Sequence, residues 1–257
     1  MISLMTPKER LIHYSKVEGP KGTLATLFRF QNKPNSDYPQ IYLPHDSLLN
    51  HTSRLVRETK LWLEDLLTRD ELLETQHILV GHDVRELVDG DESRLSASGM
   101  EKINRANQIL LDDDVDRFES FVEGQNFLEN GIEEFPRSPL SILARVLDTI
   151  DGNYFAFAML ENYAIKVGGR TPDHALQKLL DRSYAYVNKM RLKYRNKIAQ
   201  TLDRYELDLV AIYEHLQRIE AEKLDRFSAV IERQGYRTTA LGRNCRPKSK
   251  PRGYQRS

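Results

Sequence analysis

The 257-residue chain is poor in several features that would indicate particular classes of protein. It has one cysteine, Cys245, which excludes an internal disulfide and a cysteine-rich metal site. Its 38 Lys and Arg balance 38 Asp and Glu, so overall charge predicts no nucleic-acid partner. No apolar run approaches the roughly 20 residues that span a bilayer, and the first residues do not have the pattern of a secretory signal. No Gly-rich phosphate loop and no Ser or Cys nucleophile motif is present. We therefore expect a cytoplasmic protein without a membrane partner.

What the sequence does contain is mainly helical periodicity. Apolar residues recur with a helical period in 47–68, and further helices are predicted over 70–89, 97–111 and 114–129. Gly90 is expected to end the second of these helices. A helix with Ser138 as N-cap and Pro139 at its first position is predicted to run to Ile150. Residues 19–45 are rich in Gly and Pro and fit a loop-rich connection, with a short strand at 24–30.

The C-terminal third has a different organisation. Residues 175–234 contain no Gly or Pro, and apolar residues from Leu202 to Ile219 alternate three and four apart, which is coiled-coil spacing. This predicts a long helix on the order of 90 Å, or one that folds back at a bend. It would pack on its own domain or on a second subunit. The second arrangement predicts a homo-oligomer, and a further hypothesis is a scaffold that acts only by oligomerisation. The predicted fold is an all-α bundle over 1–170, followed by this coiled-coil-like extension over 171–234.

Residues 235–257 form a basic segment. From Arg237 to the end there are seven Lys and Arg and no Asp or Glu, mixed with Pro, Gly and Ser. This composition predicts a disordered basic tail. Such a tail either keeps the protein in solution or contacts nucleic acid or another polyanion.

A histidine–aspartate pair lies within the helical pattern. His82 and Asp83 would be about 100° apart on a helix, so both can approach one ion from neighbouring directions. Glu86 lies one turn away on the same side and could take a proton from metal-bound water rather than bind the metal. Asp91 follows Gly90 and can bend back toward the same place. The alternative for these acidic residues is a solvated helix face.

Two further residues, His51 and Asp148, complete a candidate metal-binding set. His51 lies on the apolar face of its predicted helix, where an ordinary core histidine is also expected. Asp148 lies in an apolar helix, where a buried carboxylate is unfavourable without a partner. That partner could be a cation or Arg145, and Asp151 is a rival for the ligand position. Two His and two Asp suit Mn, Co, Zn, Fe or Mg, with positions left for water and phosphate.

The order His, His-Asp, Asp along predicted helices resembles the HD-domain metal-dependent phosphohydrolases, and it is most similar to their 5′-deoxynucleotidase branch. That branch has a segment like Glu-x-Val-x-x-His-Ser, where this chain has residues 46–52, and one like His-Asp-x-x-Glu-x-x-x-Gly-Asp, which residues 82–91 match. The resemblance covers roughly residues 20–165. It implies hydrolysis of a nucleotide phosphoester, by a 5′-nucleotidase or a dNTP hydrolase. The implied metal ligands are His51, His82, Asp83 and Asp148. Glu86 would help to activate water, and Asp91 would assist at the leaving group.

The chain departs from the family pattern in places. Gly81 stands before the His-Asp pair, where the family has an apolar or aromatic residue. The Arg-Trp element of the family is replaced at best by Arg29-Phe30, so Arg29 is the candidate substrate-binding residue. An alternative function is a nucleic-acid-binding or regulatory protein on an inactive HD fold. It is suggested by the basic tail and by the alternating Lys and Arg residues of 189–197.

Overall fold

A computed structural model describes residues 5–17, 48–84, 97–111, 117–166 and 174–237. Within these ranges the chain forms eight α-helices and no strand, which confirms the all-α class. In chain order the helices are α1 (Pro7–Val17), α2 (Leu48–Leu63), α3 (Arg69–Gly81), α4 (Ala97–Leu111), α5 (Arg117–Leu128), α6 (Pro139–Lys166), α7 (His174–Ile198) and α8 (Leu209–Arg233). None of the helices in these ranges is long and apolar enough to cross a bilayer. The strand expected at 24–30 and the tail beyond residue 237 lie outside the described residues.

Helix α6 begins where the sequence predicts. Its first residue is Pro139, and the Oγ of the preceding Ser138 accepts a hydrogen bond from the Leu140 amide at 3.2 Å. The helix then continues beyond the predicted Ile150 to Lys166. Because buried aliphatic residues extend along its first turns, α6 has neighbours on several sides, and it packs against α3, α5 and α8.

The helix predicted to run to Gly90 ends earlier, at Gly81. His82 and Asp83 therefore lie in a turn after α3 rather than on a continuing helix. The His82 ring donates from Nδ1 to the Leu79 carbonyl oxygen at 2.5 Å, which satisfies one of the free carbonyl groups of the last helical turn. Gly90 itself lies outside the described residues.

The predicted C-terminal extension is a helical hairpin. A short 3-10 helix (Ala199–Thr201) and a turn separate α7 from α8, so the chain takes the fold-back course that the sequence left open. Leu202, which fits the coiled-coil spacing, is exposed in this turn. Asp208 caps α8 by accepting a hydrogen bond from the Ala211 amide at 3.0 Å. Both helices pack against α6, and the hairpin is therefore part of the helical core.

The core consists of two apolar clusters. The larger one joins α2, α3, α5, α6, α7 and α8, and the smaller one joins α1, α2, α3 and α4. Leu55 in α2 belongs to the first cluster and Val56 to the second, so α2 lies between them. Each large aliphatic side chain that is fully buried contributes about 1.5–3 kcal/mol, which makes this packing the main stabilising term.

The basic residues of 189–197 do not form one solvent-facing row. Three of them contact other parts of the protein: Arg191 binds Glu220, Lys193 binds the Glu129 carbonyl oxygen, and Lys197 lies over the Phe127 ring. Lys189 and Arg195 are exposed. Most of this run therefore attaches α7 to its neighbours.

Two glycines allow close contacts between helices. A Cβ at Gly124 in α5 would lie 2.1 Å from the carbonyl oxygen of Ser141 in α6. A Cβ at Gly81, at the end of α3, would lie 2.6 Å from the Cβ of Arg117 in α5. Since glycine has no Cβ, α5 can lie against both of these elements. The close contact with Arg117 therefore explains why a glycine, Gly81, precedes the His-Asp pair.

We expect Gly124→Ala to destabilise the protein by about 1–3 kcal/mol, because the added methyl group would overlap the α6 backbone. In a helix without such a contact the same change stabilises by roughly 0.5–1 kcal/mol, so the sign of the effect is diagnostic. Urea unfolding followed by circular dichroism measures it. Glu119→Ala, an exposed position on the same helix, is the control and should stay within about 0.5 kcal/mol of the wild type. A stabilised Gly124→Ala protein would contradict the close contact.

Candidate metal centre

Four polar side chains that are far apart in the sequence meet in the structure. His51 is on α2, His82 and Asp83 follow α3, and Asp148 is on α6. The Nε2 atoms of the two histidines are 3.1 Å apart. Asp83 Oδ2 lies 3.2 Å from His82 Nε2 and 3.6 Å from His51 Nε2. Asp148 Oδ1 lies 3.3 Å from His51 Nε2 and 3.7 Å from His82 Nε2. We refer to these four buried residues as the His/Asp cluster.

The second ring nitrogen of each histidine is hydrogen-bonded to an acceptor. His51 Nδ1 donates to Asp151 Oδ2 at 2.7 Å, and His82 Nδ1 donates to the Leu79 carbonyl oxygen at 2.5 Å. A carbonyl oxygen and an ionised carboxylate can only accept, so the proton of each neutral ring lies on Nδ1. Both Nε2 atoms therefore present lone pairs to one another and to the two carboxylates of the cluster.

The His/Asp cluster consequently requires a positive charge. Lone pairs and carboxylate oxygens at these distances repel one another, and burial removes the water that would screen them. Asp83 Oδ2 is buried and accepts no hydrogen bond within the described part of the chain. Either a proton on one imidazole or a metal ion at the centre of the four groups would supply the missing charge.

The dimensions of the cluster fit a metal ion. His51, His82 and Asp83 each offer one ligand atom, and these three atoms lie within 4.8 Å of one another, so the three residues could hold an ion. Donors placed about 2.1 Å from one ion in a tetrahedral arrangement are about 3.4 Å apart. The separations from each histidine Nε2 atom to the other Nε2 atom and to the two carboxylate oxygens, from 3.1 to 3.7 Å, bracket that value. Nitrogen and oxygen donors together suit first-row transition metals.

Asp148 is held in place through its other oxygen. Oδ2 is ion-paired with Arg145 Nη1, so Arg145 and the cluster bind different oxygens of one carboxylate. Arg145 Nη2 also binds Glu129 Oε1 at 2.7 Å, and the Tyr194 hydroxyl donates to the same Oε1 atom. Burial acts to lower the pKa of Arg145, but Asp148, Tyr194 and Glu129 outweigh it and raise this pKa. Burial raises the pKa of Tyr194, which keeps the phenol neutral and able to donate.

Asp151 lies on the other side of the His51 ring. Its Oδ1 accepts a hydrogen bond from Arg54 Nε at 2.8 Å, and its Oδ2 accepts one from Arg54 Nη2 at 2.9 Å in addition to the one from His51. Burial acts to raise the pKa of Asp151, but the hydrogen bonds from Arg54 and His51 outweigh it and lower the pKa to about 2. The sequence offered Asp148 and Asp151 as alternatives for the last ligand position. Asp148 faces the Nε2 atoms of both histidines, whereas Asp151 binds His51 Nδ1.

Three predicted site residues, Glu86, Asp91 and Arg29, lie outside the described residues. The described residues add three that the sequence reasoning missed, namely Arg54, Glu129 and Tyr194. A signal for the first existed, because Arg54 follows His51 by three residues just as Asp151 follows Asp148 by three. Glu129 and Tyr194 come from other elements, and no local pattern connects them to the cluster.

Comparison with known proteins gives no match. No protein-family model, no curated protein and no solved structure matches the chain. What the His/Asp cluster can do therefore follows from its own geometry and chemistry.

Divalent cations are expected to raise the Tm of the purified protein, because they would neutralise the cluster in the folded state only. A ligand at a hundred times its Kd stabilises by about 2.7 kcal/mol. Differential scanning fluorimetry with Mn²⁺, Co²⁺, Zn²⁺, Fe²⁺ or Mg²⁺, and then with excess chelator, measures the shift. Asp83→Asn should remove most of it, whereas Glu64→Gln, an exposed acid outside the cluster, should retain it. A wild-type Tm that responds to none of these ions would count against the metal centre.

Proposed function

We propose that the protein is a metal-dependent phosphohydrolase that acts on a nucleotide, of the 5′-nucleotidase or dNTP hydrolase type. The observation that carries the proposal is the convergence of two histidine Nε2 atoms with two carboxylate oxygens, in a buried cluster whose Nδ1 atoms both face hydrogen-bond acceptors. This is the donor pattern of a histidine–carboxylate metal site with its outer hydrogen bonds in place. The resemblance of residues 46–52 and 82–91 to HD-domain enzymes supports the reaction type.

In this proposal the cluster holds one divalent ion, which is Mn, Co, Zn, Fe or Mg. A bound ion of this kind polarises the phosphate and lowers the pKa of a coordinated water molecule. Asp148 and Asp83 bring negative charge to the ion, and Arg145 and Arg54 neutralise carboxylate oxygens on the outside of the cluster. Burial excludes bulk water and so strengthens these interactions.

The proton transfers are assigned to residues that follow Val84 in the chain. Glu86 would accept a proton from the attacking water, and Asp91 would assist the leaving oxygen. Both assignments are supported by the match of residues 82–91 to the family segment. Arg29 is proposed as a phosphate contact because guanidinium groups bind phosphate in a bidentate manner.

The alternative, a nucleic-acid-binding or regulatory protein, has less support. Three of the five basic residues at 189–197 contact other parts of the protein, which leaves Lys189 and Arg195 exposed on that helix. The basic tail remains a proposed polyanion contact. A cytoplasmic location and a homo-oligomer also remain proposals.

The test of the proposed function is phosphate release from a panel of nucleoside mono- and triphosphates, with each divalent metal added in turn. The wild-type protein should release phosphate from at least one substrate and should contain stoichiometric metal by elemental analysis. Asp83→Ala is expected to abolish turnover, since it removes one of the four donors, while helicity stays unchanged by circular dichroism. Full activity in Asp83→Ala, or a wild-type protein that is free of metal and inactive with every ion, would reject the proposal.

Glu86→Gln separates proton transfer from metal binding. The amide keeps the size of the side chain but cannot accept the proton, so kcat should fall by about 10²–10⁴ with metal content unchanged. The matched control is Glu101→Gln, an exposed acid on α4, which should keep the wild-type kcat. If Glu86→Gln lost its metal instead, Glu86 would be a ligand rather than the base.

A further inference from the structure

Asp151 connects Arg54 to His51. The carboxylate receives two hydrogen bonds from the guanidinium, at 2.8 and 2.9 Å, and one from His51 Nδ1 at 2.7 Å. The side chain of Asp151 is fully buried. A guanidinium carries only donors, so both oxygens of Asp151 stay acceptors and cannot give a proton to His51.

We propose that Asp151, held by Arg54, is a positioning residue that keeps the His51 proton on Nδ1, so that Nε2 carries no proton and can bind a divalent metal ion. The inference rests on the metal-dependent part of the proposed function. Outer partners that fix the tautomer of a ligand histidine typically change metal affinity by about 10–100-fold. The tautomer of His82 is fixed differently, because its Nδ1 donates to a backbone carbonyl oxygen. The tautomer of His51 therefore depends on a side chain that can be replaced.

Asp151→Asn tests this role directly. An amide replaces one acceptor by a donor, so in either orientation an amide N–H is set against an N–H of Arg54. When the amide nitrogen faces His51, the ring proton must move to Nε2, where it blocks the metal. We expect Mn²⁺ or Co²⁺ to bind about 10–100-fold more weakly to the full-length variant by calorimetry. In the metal-free variant, ¹⁵N NMR should show a His51 population protonated on Nε2.

A matched control separates positioning from general stability. Glu220 is another buried carboxylate, which accepts from Arg191 Nε at 2.7 Å and from Asn153 Nδ2 at 3.0 Å. Glu220→Gln makes the same acid-to-amide change outside the cluster, and it should lower the Tm without changing the metal affinity.

The outcomes distinguish this inference from the proposed function. A wild-type protein that binds no divalent ion overturns both. Wild-type binding together with equally tight binding by Asp151→Asn overturns the inference alone, and so does an equal loss of affinity in Glu220→Gln. If Asp151→Asn does not fold, ¹⁵N NMR of His51 in the metal-free wild type decides the matter. A proton on Nδ1 supports the inference, and a proton on Nε2 overturns it.

Discussion

The structure depends on an electrostatic conflict that a single positive charge resolves. His51 Nε2 and His82 Nε2 are 3.1 Å apart and both face buried carboxylate oxygens. Groups that all accept hydrogen bonds would not stay together in a low-dielectric interior without a cation among them. Within the described residues, the acceptors at both Nδ1 atoms hold the protons on the outer side of each ring, and Arg145 pairs with the outer oxygen of Asp148. Such an arrangement lowers the stability of the folded protein, and unfavourable arrangements of this kind usually occur at functional sites.

The C-terminal hairpin of α7 and α8 also helps to position the residues of the His/Asp cluster. Helix α6 carries both Asp148 and Asp151, and α7 and α8 pack along it. Tyr194 of α7 reaches Glu129, which binds the guanidinium that orients Asp148. From α8, Lys223 lies between two aromatic rings, 4.2 Å from the centroid of Trp62 on α2 and 4.1 Å from that of Tyr154 on α6. The hairpin thus ties together the two helices that supply His51 and Asp148.

The sequence predicted individual helices better than it predicted their connections. Helical periodicity is a local property, and it placed His51 and Asp148 on buried faces because their apolar neighbours lie in the same chain segment. The bend after α7 could not be read from periodicity, since Leu202 continues the spacing and yet lies exposed in the turn. Its signal was the N-cap Asp208 rather than a Gly or Pro. The pairing of Arg54 with Asp151 depends on how α2 faces α6, which is a tertiary contact and has no local signature.

The dimensions of the cluster also bear on which ion the proposed hydrolysis would use. His51, His82 and Asp83 each bring one ligand atom close enough to the others to hold one ion, and Asp148 lies beside both histidines. An ion with four protein ligands and no further position would be structural, as closed zinc sites are. Hydrolysis would require room for water or phosphate beside the residues that would hold the ion. Of those four residues, Asp83 has the most exposed side chain, at 10%. The proposed activity would therefore use whichever of Mn, Co, Zn, Fe or Mg leaves a position for water or phosphate beside the protein ligands.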